Sequence, residues 1–381
     1  MADDRIVIVT GSNGRIGDAV MRRLAGRFAA VIGTDRRAPE PPPGCVYVPV
    51  DVTSDESVGA GLTAIGEHHG KRVASVVHLA AYYDFAGDPS PKYEQITVQG
   101  TRRLLRALHG LAFEVEQFVF SSTMLVHRPG RPGELIGEDW PLEGTWPYPQ
   151  SKIRTEQTIR DERGTIPAVF LRIAGVYDDE CHSIPISEQI QRIHERRLLT
   201  SRFYSAATAH GQAFVHMDDV VESIGLAVER RSELPPETAL LIGEPETLSY
   251  DELQHTLARL LHGRDWETWV VPAPLAKVGA WFLARLPGEA FIKPWMIDRA
   301  NDHYQLNITR ARTQLGWEPR RSLRETLPLM VQALRNDPAG WYREHGLAPP
   351  RARWRPLRRG KEPGTSLQPH GMTEEARQAR A

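Results

Sequence analysis

Short apolar segments alternate with amphipathic segments along the first half of the chain. The apolar run Ile6-Val7-Ile8-Val9 predicts a strand, and the amphipathic stretch that follows it to about Arg27 predicts a helix. The alternation continues to about residue 172, with further helices predicted at 54–69, 93–110 and 147–163. Strands and helices in this order predict an α/β fold built on a doubly wound parallel sheet.

The pattern changes after Gly175, where loops and helices replace the regular alternation. We predict helices at 184–197 and 218–231 and a strand at 240–242. From about Ala348 the chain is rich in Pro, Gly and Arg and poor in apolar residues, which predicts a basic tail that is disordered or peripheral.

Composition excludes several functional classes. The chain has 381 residues, of which 41% are hydrophobic, and no apolar run approaches the ~20 residues that span a bilayer. The acidic N-terminus predicts no signal peptide, and the two cysteines, Cys45 and Cys181, fit neither a zinc motif nor a disulfide framework. We therefore expect a cytoplasmic protein. The net charge of −1 offers no general attraction to nucleic acid.

A glycine-rich turn links the first strand to the first helix. Gly11 permits a tight turn, Gly14 lets a pyrophosphate approach the backbone, and Gly17 lets the helix pack closely on the strand. The N-terminus of the helix then offers N–H groups and a positive dipole to the phosphates. This turn predicts a dinucleotide-binding site.

Asp35 follows the second predicted strand and bears on the choice of dinucleotide. Its carboxylate is placed to accept hydrogen bonds from the adenosine ribose and would repel a 2′-phosphate. Arg36 and Arg37 weaken this inference, because guanidinium groups bind phosphate. The sequence favours NAD over NADP.

Tyr148 and Lys152 are four residues apart, so on a helix they share one face. A free phenol has a pKa of about 10 and is a poor base unless a cation or a helix N-terminus stabilises its anion. Pro147 and Pro149 suit the first turn of a helix, which places Tyr148 near that positive end. The pair therefore predicts a proton-transfer device with a lowered phenol pKa.

These motifs resemble the extended short-chain dehydrogenase/reductase superfamily, in particular its NAD-dependent epimerase/dehydratase family, over residues 5 to 335. The matching segments occur in the family's order: Thr10 to Gly17, Asp51-Val52, His78 to Ala81, Phe120 to Thr123, Leu171 to Tyr177 and Phe214 to Val220. The resemblance implies a Rossmann-type NAD-binding domain at 1–175, completed by part of 205–245. It also implies a smaller C-terminal domain, mainly 176–345, that binds substrate, with 346–381 as the basic tail.

The resemblance implies a set of NAD-contacting residues along the matched segments. They are Gly11, Asn13, Gly14, Arg15, Ile16, Gly17, Asp35, Arg36, Asp51, Val52, Leu79, Ala80, Ala81, Ser121, Tyr148 and Lys152. Asp51 has the alternative task of capping the helix that begins near Ser54. Ser121 has the alternative task of satisfying backbone groups at a strand end.

The resemblance also implies a catalytic trio of Tyr148, Lys152 and Thr123. The Tyr148 phenolate would accept the hydroxyl proton of the substrate, Lys152 would hold the nicotinamide ribose, and Thr123 would bind the reacting oxygen. Residues next to the matched segments are candidates for the substrate pocket: Tyr82, Tyr83, Asp84, Thr123, His127 and Gly175. Arg172, directly after an apolar strand, is expected to pair with a carboxylate in the core.

Departures from the family pattern narrow the substrate. Met124 and Leu125 stand where sugar-nucleotide dehydratases of the family carry Asp and Glu, which excludes that reaction. Gly175 and Gln212 stand where its epimerases carry an Asn and an Arg that contact the substrate diphosphate. We therefore expect an NAD-dependent oxidoreductase that acts on a secondary alcohol or ketone of a small molecule other than a typical sugar nucleotide.

Alternatives remain at this point. One is a sugar-nucleotide 4-epimerase with tightly bound NAD, and another is an NAD(H)-sensing protein without turnover. His216, Asp218 and Asp219 suggest a metal site, but Asp at the start of a helix is more simply an N-cap, so no metal is expected. The resemblance further implies a homodimer formed through the helices at 93–110 and 147–163.

Overall fold

The apolar runs of the first half form one parallel β-sheet. The computed structural model describes residues 3–37, 40–84, 87–196, 203–204, 208–265, 268–271 and 301–348. The strands are β1 (Asp3–Thr10), β2 (Phe28–Asp35), β3 (Cys45–Pro49), β4 (Arg72–His78), β5 (Glu114–Val115), β6 (Phe118–Thr123), β7 (Ala168–Ile173), β8 (Gly175–Tyr177), β9 (Phe203–Tyr204), β10 (Phe214–His216), β11 (Glu237–Ile242) and β12 (Trp269–Val270).

The main sheet has the order β3-β2-β1-β4-β6-β7-β11, and β5 pairs with β4. All of these pairs are parallel. The strand order reverses between β1 and β4, which is where open parallel sheets bind ligands beyond their carboxyl ends. The doubly wound parallel sheet predicted from the sequence is confirmed.

The helices follow the predicted segments closely. They are α1 (Arg15–Leu24), α2 (Asp55–His69), α3 (Gln99–Gly110), α4 (Pro147–Glu162), α5 (Ile184–His194), α6 (Met217–Glu229), α7 (Tyr250–His262), α8 (Leu323–Asn336) and α9 (Pro338–Glu344). A π-helical segment, Tyr93–Val98, leads into α3. The helix predicted at 184–197 ends three residues early, and residues 197–200 lie outside the described part of the chain.

Each face of the sheet carries its own hydrophobic core. Val7 and Val9 of β1 pack with residues of α1 and α6, whereas Ile6 and Ile8 pack with residues of α2, α3 and α4. Successive strand residues point to opposite faces, so a strand covered on both sides must be apolar at every position. This is why β1 reads as an unbroken apolar run.

A third core lies in the C-terminal half of the chain. It joins side chains of α5, α7, α8 and α9 with Tyr177 of β8 and Phe214 of β10. Strand β11, from within the segment 205–245, extends the main sheet next to β7. The division into an NAD-binding and a substrate-binding domain stays a prediction, and residues 349–381 of the basic tail lie outside the described residues.

Helix hydrophobicity and cysteine pairing were both used to predict the kind of protein. Among the residues that the structure describes, no helix is both long enough and apolar enough to cross a membrane. Cys45 and Cys181 are free thiols, with Cys181 buried.

Trp317 anchors the C-terminal segment to the core of the main sheet. Its side chain is 1% exposed, and its indole N–H donates to the carbonyl oxygen of Asp219 at 2.9 Å. The Asp219 carboxylate in turn accepts from the backbone N–H groups of Arg320 and Arg321. The Asp219 carboxylate thus holds the chain after Trp317 on α6 through backbone hydrogen bonds.

We expect Trp317→Phe to lower the free energy of unfolding by about 1–3 kcal/mol, because it removes the indole hydrogen bond and leaves a small cavity. Urea denaturation measures this loss. Trp269→Phe is the matched control, since the Trp269 side chain is 50% exposed and should lose little. Equal losses in the two variants would contradict the anchoring role.

Candidate active site

The glycine-rich turn lies at the switch point of the sheet and is too crowded for side chains. Gly11 has a positive φ of 69°, and a Cβ there would lie 2.8 Å from the backbone nitrogen of Ala80, just beyond β4. A Cβ on Gly17 would lie 2.4 Å from the carbonyl oxygen of Gly11. The turn therefore packs backbone against backbone, as the glycine spacing predicts.

The N-terminus of α1 is open to an anion. Gly14 is the N-cap residue, and no side chain caps the first turn of the helix. A Cβ on Gly14 would meet one neighbour within 4 Å, the Gly11 carbonyl oxygen at 3.3 Å. The N–H groups of Arg15 and Ile16 open the helix, where the dipole favours negative charge. These residues fit the pyrophosphate of a dinucleotide.

Tyr148 and Lys152 lie on the face of α4 that packs on the end of β6. Pro147 opens the helix, as predicted. The Lys152 ammonium donates to the carbonyl oxygen of Ser121 at 2.6 Å, and the Thr123 side chain is close enough to the Tyr148 hydroxyl to lower the pKa of that phenol. The proposed catalytic trio therefore converges at the carboxyl end of one central strand.

The pKa values of the pair differ from the sequence prediction. Burial raises the pKa of Tyr148 to about 12, although the hydrogen bond with Thr123 acts in the opposite direction. Burial also lowers the pKa of Lys152 to about 7, and Glu156 opposes this lowering. The Lys152 nitrogen lies 5.8 Å from the centre of the Tyr148 ring and points to Ser121, so desolvation outweighs its attraction for a phenolate.

His78 holds the ends of β1 and β4 together. Thr101 donates its hydroxyl proton to the Thr97 carbonyl, so it accepts from Nε2 of His78 at 2.9 Å. Nδ1 of His78 lies 2.7 Å from the hydroxyl of Thr10, which accepts from the Ala80 N–H. Burial, with a smaller effect of Lys152, lowers the pKa of His78 to about 3. The ring is therefore neutral and structural, with no free nitrogen for proton transfer.

A comparison with known protein families identifies the chain. The sequence model of the NAD dependent epimerase/dehydratase family matches residues 7–243, which is more than half of the chain. The chain belongs to this family. It is therefore an NAD-dependent enzyme, as the motifs predicted.

Individual relatives agree with this family. The chain is 28% identical over 330 residues to dTDP-6-deoxy-L-talose 4-dehydrogenase (NAD(P)(+)) of Kitasatospora kifunensis, covering 84% of this chain and 93% of the relative. It is 22% identical over 341 residues to UDP-glucose 4-epimerase of Vibrio cholerae, covering 86% and 94%. The fold matches a Thermus thermophilus UDP-glucose 4-epimerase solved with NAD at a TM-score of 0.62, with 23% identity, covering 87% of this chain and 99% of that one.

At the end of β2, the Asp35 carboxylate is fixed by backbone groups. It accepts from the N–H of Arg36 at 2.7 Å and from the N–H of Asn13 at 3.3 Å. The Asn13 amide donates to the carbonyl oxygen of Arg37. Asp35 therefore stands at the end of β2 in the place where the sequence predicts contact with a ribose.

Asp51 does not cap α2, because Ser54 is the N-cap and accepts from the N–H of Ser57. The Asp51 carboxylate accepts instead from the hydroxyl and the N–H of Thr53. Val52 is 8% exposed and packs against Gly100 of α3. The capping alternative is thus excluded, and a cofactor contact for Asp51 stays a prediction.

The remaining residues predicted to contact NAD lie along the ends of β4 and β6. Leu79 donates its N–H to the carbonyl oxygen of Thr10, which continues the β1 edge. Leu79, Ala80 and Ala81 are half-buried. The Ser121 hydroxyl donates to the carbonyl oxygen of His78, so its side chain bridges two strand ends as the structural alternative predicts.

Arg15 sends its side chain away from the first turn of α1. Its guanidinium donates to Asp178 at 3.3 Å and to Glu344 of α9 at 3.2 Å. Within the described residues, Glu180, His182 and Glu344 form one cluster whose ligand atoms are close enough for a metal ion. The adjacent Arg15 cation opposes a second cation there. We assign no metal to this cluster.

Aromatic rings line the approach to Tyr148. The Tyr83 ring meets the Tyr148 ring edge to face at 4.9 Å between centres, and Tyr83 is 51% exposed. Tyr82 packs on Tyr93 at 4.8 Å, while Tyr93 donates its hydroxyl to the carbonyl oxygen of Asp84. The structure therefore places Tyr83 beside Tyr148, whereas Tyr82 and Asp84 contact Tyr93.

Trp146 is a residue of this site that the sequence reasoning missed. Its ring centre lies 5.4 Å from that of Tyr148, and it is the N-cap residue of α4. Its position two residues before Tyr148 was a usable signal. The Tyr83 and Trp146 rings thus both flank the phenol.

The structure excludes the predicted substrate contact of His127, whereas that of Gly175 stays a prediction. His127 is fully buried, with Nδ1 donating to the Trp140 carbonyl oxygen at 2.9 Å and Nε2 accepting from Arg172 at 3.2 Å. It therefore has no surface for a substrate, and its position after β6 turns it inward. At Gly175, a Cβ would lie 2.8 Å from the Phe214 ring, so this position has no room for a side chain.

We expect Gly17→Ala to weaken NADH binding at least about tenfold, because the added methyl group forces the turn apart at the pyrophosphate site. NADH fluorescence titration measures the affinity. Gly59→Ala in α2 is the matched control, since a Cβ there meets nothing within 4 Å and should stabilise the helix. Unchanged NADH affinity in Gly17→Ala would contradict the assigned turn.

Acid should destabilise the protein through two buried histidines. Burial lowers the pKa of His127 to about 4 and that of His78 to about 3. The unfolded chain takes up these protons from pH 6.5 downward and the folded chain does not, so stability present above pH 6.5 is lost as the pH falls. The two histidines should contribute a loss of about 2–4 kcal/mol between pH 7 and pH 5, which Glu244 offsets in part because burial raises its pKa to about 7.

Urea denaturation at the two pH values tests this expectation. The His127→Asn variant should show a smaller loss of stability than the parent, because one of the two linked protons is gone. His68→Asn, at an exposed position on α2, serves as the control and should keep the parent slope. A His127→Asn variant with the full parent slope would show that the buried ring does not drive the effect.

Proposed function

We propose that the chain transfers hydride between NAD and a secondary alcohol or ketone, with Tyr148, Lys152 and Thr123 as its catalytic residues. The observation that carries this proposal is the convergence of the three side chains at the end of β6. The glycine-rich turn at the end of β1 lies two strands away in the same sheet, with β4 between them. NAD bound there supplies the hydride acceptor or donor.

Each residue has a separate task in this proposal. Tyr148 exchanges the proton of the reacting oxygen, and Thr123 donates a hydrogen bond to that oxygen as charge develops on it. Lys152 binds the nicotinamide ribose and supplies positive charge beneath the phenol. Tyr83 and Trp146 exclude water from one side of the phenol through their ring contacts.

The proposed substrate is a small cyclic alcohol. The site lacks the contacts that the family's epimerases make with a substrate diphosphate. Two curated relatives act on sugar nucleotides, as their names state. The ring of Phe214 fills the space next to residue 175, so no side-chain amide can reach a diphosphate from there. Aromatic rings next to Tyr148 suit the apolar face of a ring-shaped substrate.

A cytoplasmic location and a homodimer through α3 and α4 are part of the same proposal. In one chain these helices are tied by Glu162, which accepts from Arg102 at 3.1 Å and from Arg106 at 2.7 Å. The pair thus offers one rigid surface to a second copy. Sedimentation of the purified protein tests the dimer.

We expect Tyr148→Phe to lower kcat by about 10²–10⁴-fold, because it removes the proton-transfer group and keeps the ring. A substrate panel of sugar nucleotides, hydroxysteroids and small cyclic ketones, followed by NADH absorbance, identifies the reaction. Tyr47→Phe, at a tyrosine whose hydroxyl bonds to the Arg37 carbonyl, is a matched control for the loss of one phenol oxygen. Full activity of Tyr148→Phe on the identified substrate would refute the proposed role.

The state of the cofactor separates this proposal from the less favoured epimerase. An epimerase of this type keeps NAD through its whole cycle, whereas a dehydrogenase exchanges NAD with each turnover. We expect purified protein to reduce added NAD⁺ in proportion to substrate consumed. Epimerised product with no net NADH would contradict the dehydrogenase assignment.

A further inference from the structure

The end of β6 holds α4 at a third point, one helical turn beyond the catalytic pair. Besides the contacts of Tyr148 and Lys152, the hydroxyl of Ser122 donates to Glu156 at 2.6 Å. Glu156 follows Lys152 by four residues and shares its face of α4. The proposed catalysis uses Tyr148 and Lys152 but has no step for Glu156.

Glu156 is part of a buried ion pair. Its carboxylate is fully buried and accepts two hydrogen bonds from Arg172 of β7, at 2.8 and 3.1 Å. Arg172 is 3% exposed. A weaker contact at 3.5 Å comes from Arg160, one turn further along α4. Removing both charges from water is expensive, so such a pair contributes little stability compared with apolar residues of the same size.

The ion pair extends to the chain segment that follows β6. Arg172 donates to the carbonyl oxygen of Glu138 at 2.7 Å and to Nε2 of His127 at 3.2 Å. One guanidinium therefore links α4, β7 and the segment after Thr123. The directional hydrogen bonds allow one rotation and one register of α4 on the sheet.

We propose that Glu156, held by Arg172 and Ser122, is a positioning residue for the Tyr148–Lys152 pair and the negative charge that faces the buried Lys152 ammonium. This inference rests on the proposed function. Glu156 touches neither the reacting atoms nor, in this arrangement, the cofactor site. It acts through the position of α4 and through its charge.

The groups around Lys152 determine how its pKa responds to the loss of the Glu156 charge. On α4 it is faced by the neutral phenol of Tyr148 and by Glu156, on β4 by the neutral ring of His78, and on β6 by the Phe120 ring at 4.7 Å. Burial lowers the pKa of Lys152 and Glu156 raises it. Loss of the Glu156 charge would therefore lower this pKa further, so that Lys152 loses its proton at a lower pH.

The decisive experiment replaces both members of the ion pair, with Glu156→Leu and Arg172→Met in one protein. Removing both avoids an unpaired buried charge, so the double variant should melt within about 5 °C of the parent. Loss of the Arg172 cation offsets part of the loss of the Glu156 charge, so we expect the alkaline limbs of NADH binding and of turnover to move down by about 0.5–1 pH unit, less than one unopposed charge produces. At pH 8 the kcat should fall about three- to tenfold.

A control double variant replaces an ion pair elsewhere in the chain, with Arg312→Met and Glu318→Leu. Arg312 pairs with Glu318 at 2.6 Å, and neither residue belongs to α3, α4 or β6. Its pH profiles should match those of the parent. A folded Glu156–Arg172 double variant whose NADH binding and turnover also keep the parent pH profile would overturn the proposal.

Ser122→Ala provides a second test that keeps the ion pair. It removes the link between Glu156 and β6, so kcat should fall about three- to tenfold while the alkaline limb stays in place. If the double variant does not fold, parent kcat in Ser122→Ala overturns the positioning role. Full activity of Tyr148→Phe would instead refute the proposed function. The pH dependence of NADH binding is measured without any chemical step, so it tests the role of Glu156 separately from the proposed reaction.

Discussion

The face of α4 that carries Tyr148 and Lys152 is mostly polar, and the geometry of the site depends on the hydrogen bonds of this face. Most of the buried residues of this helix carry polar groups, namely Ser151, Lys152, Thr155, Glu156 and Thr158. Polar groups in a protein interior must find hydrogen-bond partners, and each partner fixes a direction as well as a distance. An apolar face would let the helix slide or rotate at small cost. The bonds of Lys152 to Ser121 and of Glu156 to Ser122 commit it to one position on β6. Ser151 and Thr155 donate to carbonyl oxygens of their own helix.

This arrangement sets the protonation states from which the proposed reaction starts. Burial gives Tyr148 a pKa of about 12, so the phenol carries its proton at neutral pH. Lys152, with a pKa of about 7, is present in both its protonated and its neutral form at neutral pH. A protonated phenol is ready to donate to the oxygen of a ketone as hydride arrives at the carbon. Oxidation of an alcohol requires additional positive charge near the phenol oxygen, and a protonated Lys152 is the group of α4 that can supply it.

Local patterns were sufficient to predict the sheet and the position of the Tyr148–Lys152 pair. The unbroken apolar run of β1 and the spacing of Gly11, Gly14 and Gly17 reflect backbone packing that the sequence encodes directly. The shared face of Tyr148 and Lys152 follows from helical geometry alone. The upward shift of the Tyr148 pKa was not predictable, since it depends on burial by residues that are distant in sequence.

His127 and Glu156 were misjudged because their surroundings depend on contacts with residues that are distant in sequence. His127 follows a matched segment, but adjacency in sequence does not tell which way a side chain points, and a β-bridge with Leu142 turns it into the interior. Glu156 was also missed, although two signals pointed to it. It follows Lys152 at helical spacing, and Arg172 was expected to need a buried carboxylate. Joining these two expectations would have identified the ion pair.

The contact between Gly175 and Phe214 shows how substrate selection can change while the catalytic groups stay. Strands β8 and β10 pair side by side, and the Phe214 ring lies over the position where a Cβ of residue 175 would be. An amide at that position would bind phosphate oxygens with charge-assisted hydrogen bonds, whereas an aromatic ring there offers only apolar surface. Under the proposed function, discrimination against a diphosphate would arise from a missing contact and from an unfavourable desolvation of its charge. The Gly175–Phe214 contact does not involve β6 or α4, so the Tyr148–Lys152 pair would keep its geometry while the preferred substrate shifts.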